Sequence, residues 1–228
     1  MFRTIAIDIE TTGLDPMEDD VIEFAAHTDG MTTDLFIDSD RGSDEGAFAI
    51  HGLTRDMVRE RSGGRTRREA LESVGNLIAR SGCVVVAHNA RFVMTMILAN
   101  MVRSDCDGRL IEDMHSVVPL DTMVMDRMIH INDRSRSRSL ASLCGSYGIR
   151  RGGGAKADSR AIHALADREM DALMYEGVGR DDLPGLVARR AVEQQEDFAI
   201  WVESKGGDPE MPGYPYDPRV IEALELRF

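Results

Sequence analysis

The run "CVVVAH" at 83–88 constrains the fold more than any other stretch of the chain. A short, continuous apolar segment suits a strand covered on both faces, as in the middle of a sheet with helices on either side. Apolar residues then resume at helical spacing from about Arg91 to Met101, so a buried strand and a helix meet at His88-Asn89. "RTIAIDIE" near the N-terminus alternates in the period-two manner of a strand and runs into the turn "TTGLDP". "VIEFAAHT" and "TTDLFIDS" read as two more strands joined at Asp29-Gly30, a hairpin dipeptide.

The remaining segments read as helices. "TRDMVRERS" has Thr54 as its N-cap, and "RTRREALESVGNLIAR" turns Leu71, Val74, Leu77 and Ile78 inward. "PLDTMVMDRMI" is a short turn into a helix, "SLASLCGSYGI" a helix ended by Gly148, "RRGGGAK" a loop, and "SRAIHALADREMDALMY" a long helix. Past Gly179 one more helix carries Leu183, Leu186, Val187, Phe198, Trp201 and Val202 at core-like spacing, and a Pro/Gly-rich tail follows it. Strands first and then helices alternating with another strand predict an α/β architecture, a mixed β-sheet flanked by helices. We expect one domain over 1–178 and a helical C-terminal extension over 179–228.

Charge narrows the function. With 27 basic and 40 acidic residues, net −13, the chain lacks the broad basic face that wraps a duplex by displacing counterions. Any nucleic-acid contact must be local or metal-mediated. Three widely spaced cysteines without a CxxC pair indicate neither a disulfide framework nor a zinc site, and point to a reducing, cytoplasmic setting. No run reaches the roughly 18 apolar residues of a membrane span, so no membrane partner is expected.

Asp8 and Glu10 sit two apart on a strand and leave the same face. Two carboxylates aimed at one spot repel unless a cation lies between them, and a hard divalent ion such as Mg²⁺ takes such oxygens while leaving positions for phosphate and water.

"IDIETTGLDP" closely resembles the first motif of the DnaQ-like 3′–5′ exonucleases, the DEDD family that includes proofreading subunits of bacterial DNA polymerase III. The likeness continues in order through "AIHGLTRDMV" (49–58), "VVVAHNARFV" (84–93), "PLDT" (119–122), "SLASLCGSYGI" (139–149) and "HALADREM" (163–170). The tail is more loosely similar to exonuclease-like proteins of actinobacteria and their phages. The resemblance implies a ribonuclease H-like fold and two bound ions, Mg²⁺ or Mn²⁺, that hydrolyse a phosphodiester. Asp8 would bridge the ions, with Glu10 and Asp167 completing the first site. It further implies nucleotide contacts from Thr11, Thr12, Gly13, His51, Asn89 and Phe92.

Two positions depart from the family pattern. Its second motif runs His-Asn-x-x-Phe-Asp, where this chain has Val93 last, so the second ion is expected to bind weakly or not at all. Its general-base His lies five residues before the third-motif Asp; counted from Asp167 that position is Ile162, with His163 one place late and offered as a shifted base. Asp121 is a further acid available in compensation, and His88 reads as structural. "RSRSRS" (134–139) and "RRGGGAK" could track a single strand or be solvated loops. Two function classes follow: a metal-dependent 3′–5′ exonuclease with reduced activity on single-stranded DNA, or RNA; or an inactive descendant that holds a 3′ end or docks a DNA polymerase or other replication or repair protein.

Overall fold

The computed structural model describes residues 2–133 and 135–225. In chain order these form β1 (Thr4–Thr11), β2 (Val21–Thr28), β3 (Met31–Phe36), α1 (Glu45–His51), α2 (Arg55–Ser62), α3 (Arg67–Arg80), β4 (Val84–Ala87), α4 (Ala90–Arg103), α5 (Gly108–His115), β5 (Leu120–Asp121), α6 (Thr122–Ile129), α7 (Leu140–Ser146), α8 (Ala155–Tyr175), a 3₁₀ turn at Arg180–Asp182, α9 (Leu183–Ser204) and α10 (Pro218–Ala223).

The sheet runs β3-β2-β1-β4-β5, with β1 antiparallel to β2 and parallel to β4. Period-two alternation on β1 sorts its side chains between two cores. Ile5, Ile7 and Ile9 face the layer built from α3, α4 and α5, while Ala6 faces α6, α8 and α9. β4 is buried from both sides, Val85 in the first core and Val86 in the second, as its unbroken apolar run requires. Local signals set several boundaries. The Thr54 side chain accepts the Met57 N–H at the start of α2, and Thr66 with Glu69 forms a full capping box on α3. Gly30 takes a positive φ of 84° in the hairpin between β2 and β3.

Five features differ from expectation. The stretch before "HGLT" folds as α1, Gly108–His115 forms α5, and Leu120–Asp121 pairs with β4 as a fifth strand. Only the first half of α9 packs. Leu183, Val187 and Ala191 join the core, but Phe198 and Trp201 are 59% and 55% exposed and stack on each other. Their helical spacing was sound, but both rings stay largely open to solvent. Finally, α8 begins at Ala155, so the glycine loop is shorter than its composition suggested. That shift moves the site.

Candidate active site

Asp8 and Glu10 emerge from β1 on the face that α8 covers, continuing the row begun by Ala6, which packs with Ile162 and Ala166. Strand pairing sets Glu23 of β2 opposite Glu10. A register shift between Glu10 and Thr11 marks a bulge where the strand enters its turn. Burial, and then the neighbouring charges of Glu10 and Asp158, hold the Asp8 carboxyl well above the usual range. Glu10 is pushed up to about 7 by burial, by Glu23 and by Asp158. Glu23 also rises to about 7, from burial and Asp34, although a backbone N–H of Ala155 favours its charged form.

The third acid at this point is therefore Asp158, not Asp167. Asp158 stands in the first turn of α8, where the helix passes the mouth of β1, and its side chain is only 8% exposed. Asp167 follows nine residues later, about two and a half turns on, which places it on the opposite side of the helix. It is 54% exposed and meets His163 Nδ1 at 3.6 Å. His163 is displaced too. Its Nε2 lies 3.2 Å from Thr4 Oγ1, four residues or about 13 Å up the strand from Asp8. Far from being a surface histidine it is buried, edge-on to His27. Sequence reasoning missed Asp158 because "AKAD" (155–158) and "ALAD" (164–167) repeat within one helix, and the second copy carries a histidine beside it. Counted from Asp158, the residue five places earlier is Gly153.

The turn after β1 is pinned from several sides. Thr11 Oγ1 donates to the Gly13 carbonyl at 2.7 Å, and Thr12 Oγ1 donates to Asp19 Oδ1 at 3.1 Å while accepting the Asp20 N–H at 2.9 Å. Both hydroxyls are thus committed to shaping the turn. A Cβ on Gly13 would meet the Asp19 carboxylate at 2.4 Å, so a larger residue there would have to displace the acid that Thr12 holds. Leu14, next in line, is 77% exposed. His51 closes the turn from α1: Nε2 donates to the Thr11 carbonyl at 3.2 Å and Nδ1 accepts the Leu53 N–H at 2.9 Å, the pattern of a neutral ring. Burial lowers its pKa accordingly.

The corner between β4 and α4 has structural tasks. His88 Nδ1 meets Thr122 Oγ1 at 2.7 Å, and burial lowers its pKa to about 4. Asn89 adopts a left-handed conformation (φ 58°) and is exposed. It lines a separate cavity of about 370 Å³ with Arg91, Asp121, Arg127 and Phe198, a cavity that touches none of the three acids. Phe92 packs against the first core, and Val93 is 3% exposed within it. Asp121 does not compensate for the missing acid. Its oxygens accept the N–H groups of Ala90 at 2.7 Å, Met123 at 2.8 Å and Asn89 at 3.3 Å, so it anchors helix starts, and burial lifts it to about 6. The "RSRSRS" arginines likewise turn inward: Arg136 and Arg138 each approach the fully buried Asp126 at 3.0 Å, while Arg134 lies outside the described residues.

Arg151, on the loop before α8, places Nη2 2.6 Å from Asp158 Oδ2. The same guanidinium favours the charged forms of Asp8 and Glu10. The other Asp158 oxygen, Oδ1, is buried without a hydrogen-bond partner. Among the described residues no group of three or more His, Cys, Asp or Glu side chains is already arranged around a metal position. Yet three carboxylates at one strand mouth, one with an orphaned oxygen, are the donor chemistry that suits a hard divalent ion.

A mixed sheet with two acids on its central strand and a third on the helix crossing that strand is the layout of a ribonuclease H-like domain. The exonuclease family model RNase_T matches residues 5–166, and the chain belongs to that family, the DnaQ-like 3′–5′ exonucleases. A PolC-type DNA polymerase III of Latilactobacillus sakei is 30% identical over 150 residues, 64% of this chain but only 10% of that one. The DNA polymerase III epsilon subunit of Buchnera aphidicola is 28% identical over 185 residues, 76% of this chain and 69% of that one. In fold the chain is similar to E. coli exonuclease I, solved with a dT13 oligonucleotide, at TM-score 0.65 and 19% identity over 77% of this chain and 43% of that one. Exonuclease I of Methylocaldum szegediense matches at TM-score 0.63 and 24% identity over 86% of this chain and 46% of that one.

Proposed function

We propose that the chain holds the 3′ end of a single-stranded nucleic acid, DNA before RNA, at the cluster of Asp8, Glu10 and Asp158, and hydrolyses it slowly in a 3′–5′ direction with one divalent ion. The observation that carries this reading is the convergence of Asp158 on Asp8 and Glu10, with a buried oxygen left unpaired. We take 1–178 as the part that carries the activity and 179–228 as an extension.

Asp8, Glu10 and Asp158 would hold Mg²⁺ or Mn²⁺, which when bound would polarise the phosphodiester and acidify a water. The chain's own residues do the positioning. The pinned turn at Thr11, Thr12 and Gly13 presents its backbone beside the acids, and Leu14 offers an apolar side chain to a terminal base. His51 is neutral and braces that turn. Gly153 stands five residues before Asp158, where the family pattern has its histidine, so that position supplies no side-chain base. A missing positioned general base slows such a step by about 10²–10⁴. Val93 supplies no fourth carboxylate for a second ion.

The loss of both groups supports a second reading, in which the site binds a 3′ end without cutting it and the protein serves a polymerase or a replication or repair partner. One experiment separates the two: release of mononucleotides from a 3′-labelled single strand with Mn²⁺, against Asp8→Ala, together with binding of the same strand by fluorescence anisotropy. Slow release above the control supports the exonuclease. Binding without release supports the module, and no binding overturns both.

A further inference from the structure

The charge opposite the three acids is supplied by the chain itself. Arg151 reaches Asp158 from a glycine-rich loop: Gly148 and Gly154 hold positive φ angles of 66° and 81°, and Gly152 and Gly153 lie between them. The loop is seated, since a Cβ on Gly152 would meet the Ala157 Cβ at 2.8 Å, so this stretch lies directly on the first turn of α8. The two partners are unequal. The Asp158 side chain is 8% exposed and one of its oxygens has no partner, whereas the Arg151 side chain is 37% exposed at the rim. The acid is a fixture and the arginine is the member that can leave.

We propose that Arg151 is a tethered cation that competes with the divalent ion for Asp158, so that metal binds tightly only when the guanidinium is drawn away. This rests on the metal-site reading above. A guanidinium satisfies a carboxylate through a planar fork and offers no open coordination position, so it neutralises the acids without supporting hydrolysis. What draws it off is a phosphodiester, which the same fork recognises in a bidentate manner. The single strand entering the site therefore exchanges its phosphate for Asp158 as the partner of Arg151 and frees Asp158 for metal. Nucleic acid and metal then strengthen each other's binding, as linkage requires.

The test is Mn²⁺ affinity by isothermal titration calorimetry on the full chain, with Arg151→Gln, Arg151→Met as a second neutral variant, and Arg151→Lys. Release from a charge-assisted hydrogen bond predicts that both neutral variants bind Mn²⁺ about tenfold or more tightly than wild type, with the lysine variant closer to wild type. In wild type, an oligothymidylate with phosphorothioate 3′ linkages raises Mn²⁺ affinity, and in the neutral variants that increase is smaller. Equal or weaker Mn²⁺ binding by folded Gln and Met variants overturns the proposal, as does absence of Mn²⁺ binding in all four proteins. The anisotropy of the same oligonucleotide tells these failures apart from failure of the site reading: a strand that still binds in an Asp8-dependent way leaves the site standing and removes only the competition.

Discussion

At Gly153 an added Cβ would meet nothing within 4 Å, and the backbone there is not in the left-handed region. A side chain can therefore begin there, five residues before Asp158 and on the same loop as Arg151. Gly153→His is expected to raise the rate of mononucleotide release by about 10²–10⁴, the usual contribution of a positioned base, and to make that rate rise with pH through the imidazole range. Ile162→His should do nothing of the kind, because Ile162 is wholly buried in the second core. A pH–rate profile of the two variants checks both statements. That Asp8 and Glu10 leave one face of β1 was legible because strand parity needs no tertiary information. Asp158 was not, because two nearly identical tetrads compete for one motif and only the position of the helix on the sheet chooses between them.

The element that makes this choice is α8. It runs down the sheet from the mouth of β1, so its first turn belongs to the site and its later turns belong to the core and the far edge. Asp158→Asn is accordingly expected to abolish metal-dependent release, and Asp167→Asn to leave it within about twofold, since surface changes away from a site are nearly neutral. Assay of the pair side by side is decisive: loss of activity in the second variant, with the first unaffected, would return the site to Asp167. The start of α8 was hidden for a physical reason. Gly154 precedes it as an N-cap that offers no side-chain bond, so the usual capping signature is absent. The outer half of α9 misled in the opposite sense, since periodicity shows which residues could share a face and not whether a neighbour exists to cover it.

Across the molecule, the surplus of acid over base has a thermodynamic consequence. Glu10 and Glu23 are pushed up to about 7, chiefly by burial, above their ordinary value of 4.5, so between those limits these two groups bind more protons in the native state than in the unfolded chain, while the lowered His51 and His88 act in the opposite sense. The stability these two carboxyls contribute is then lost as pH rises through that window, the reverse of the usual carboxylate behaviour. In the presence of a chelator the melting temperature is expected to be higher near pH 5 than near pH 8, with a smaller difference in Glu10→Gln. Millimolar Mn²⁺ should raise the value at pH 8, because the ion favours the charged carboxylates. Melting curves that rise monotonically from pH 5 to pH 8 without metal would contradict the buried, mutually repelling acids described above. The first four strands were readable from sequence because they depend on apolar patterning, whereas the two-residue β5 and this charge balance depend on what the fold brings together.

The place of β1 at the centre of the sheet has a kinetic meaning. Central strands exchange their amide protons only when much of the domain opens, while glycine-rich surface loops open alone and often. Two of the acids thus ride on the slowest-opening part of the chain, and Arg151 rides on a loop composed to be among the fastest. A site assembled in this way keeps its acids set over the lifetime of the fold, and leaves any change of occupant to one short segment that can move without disturbing them.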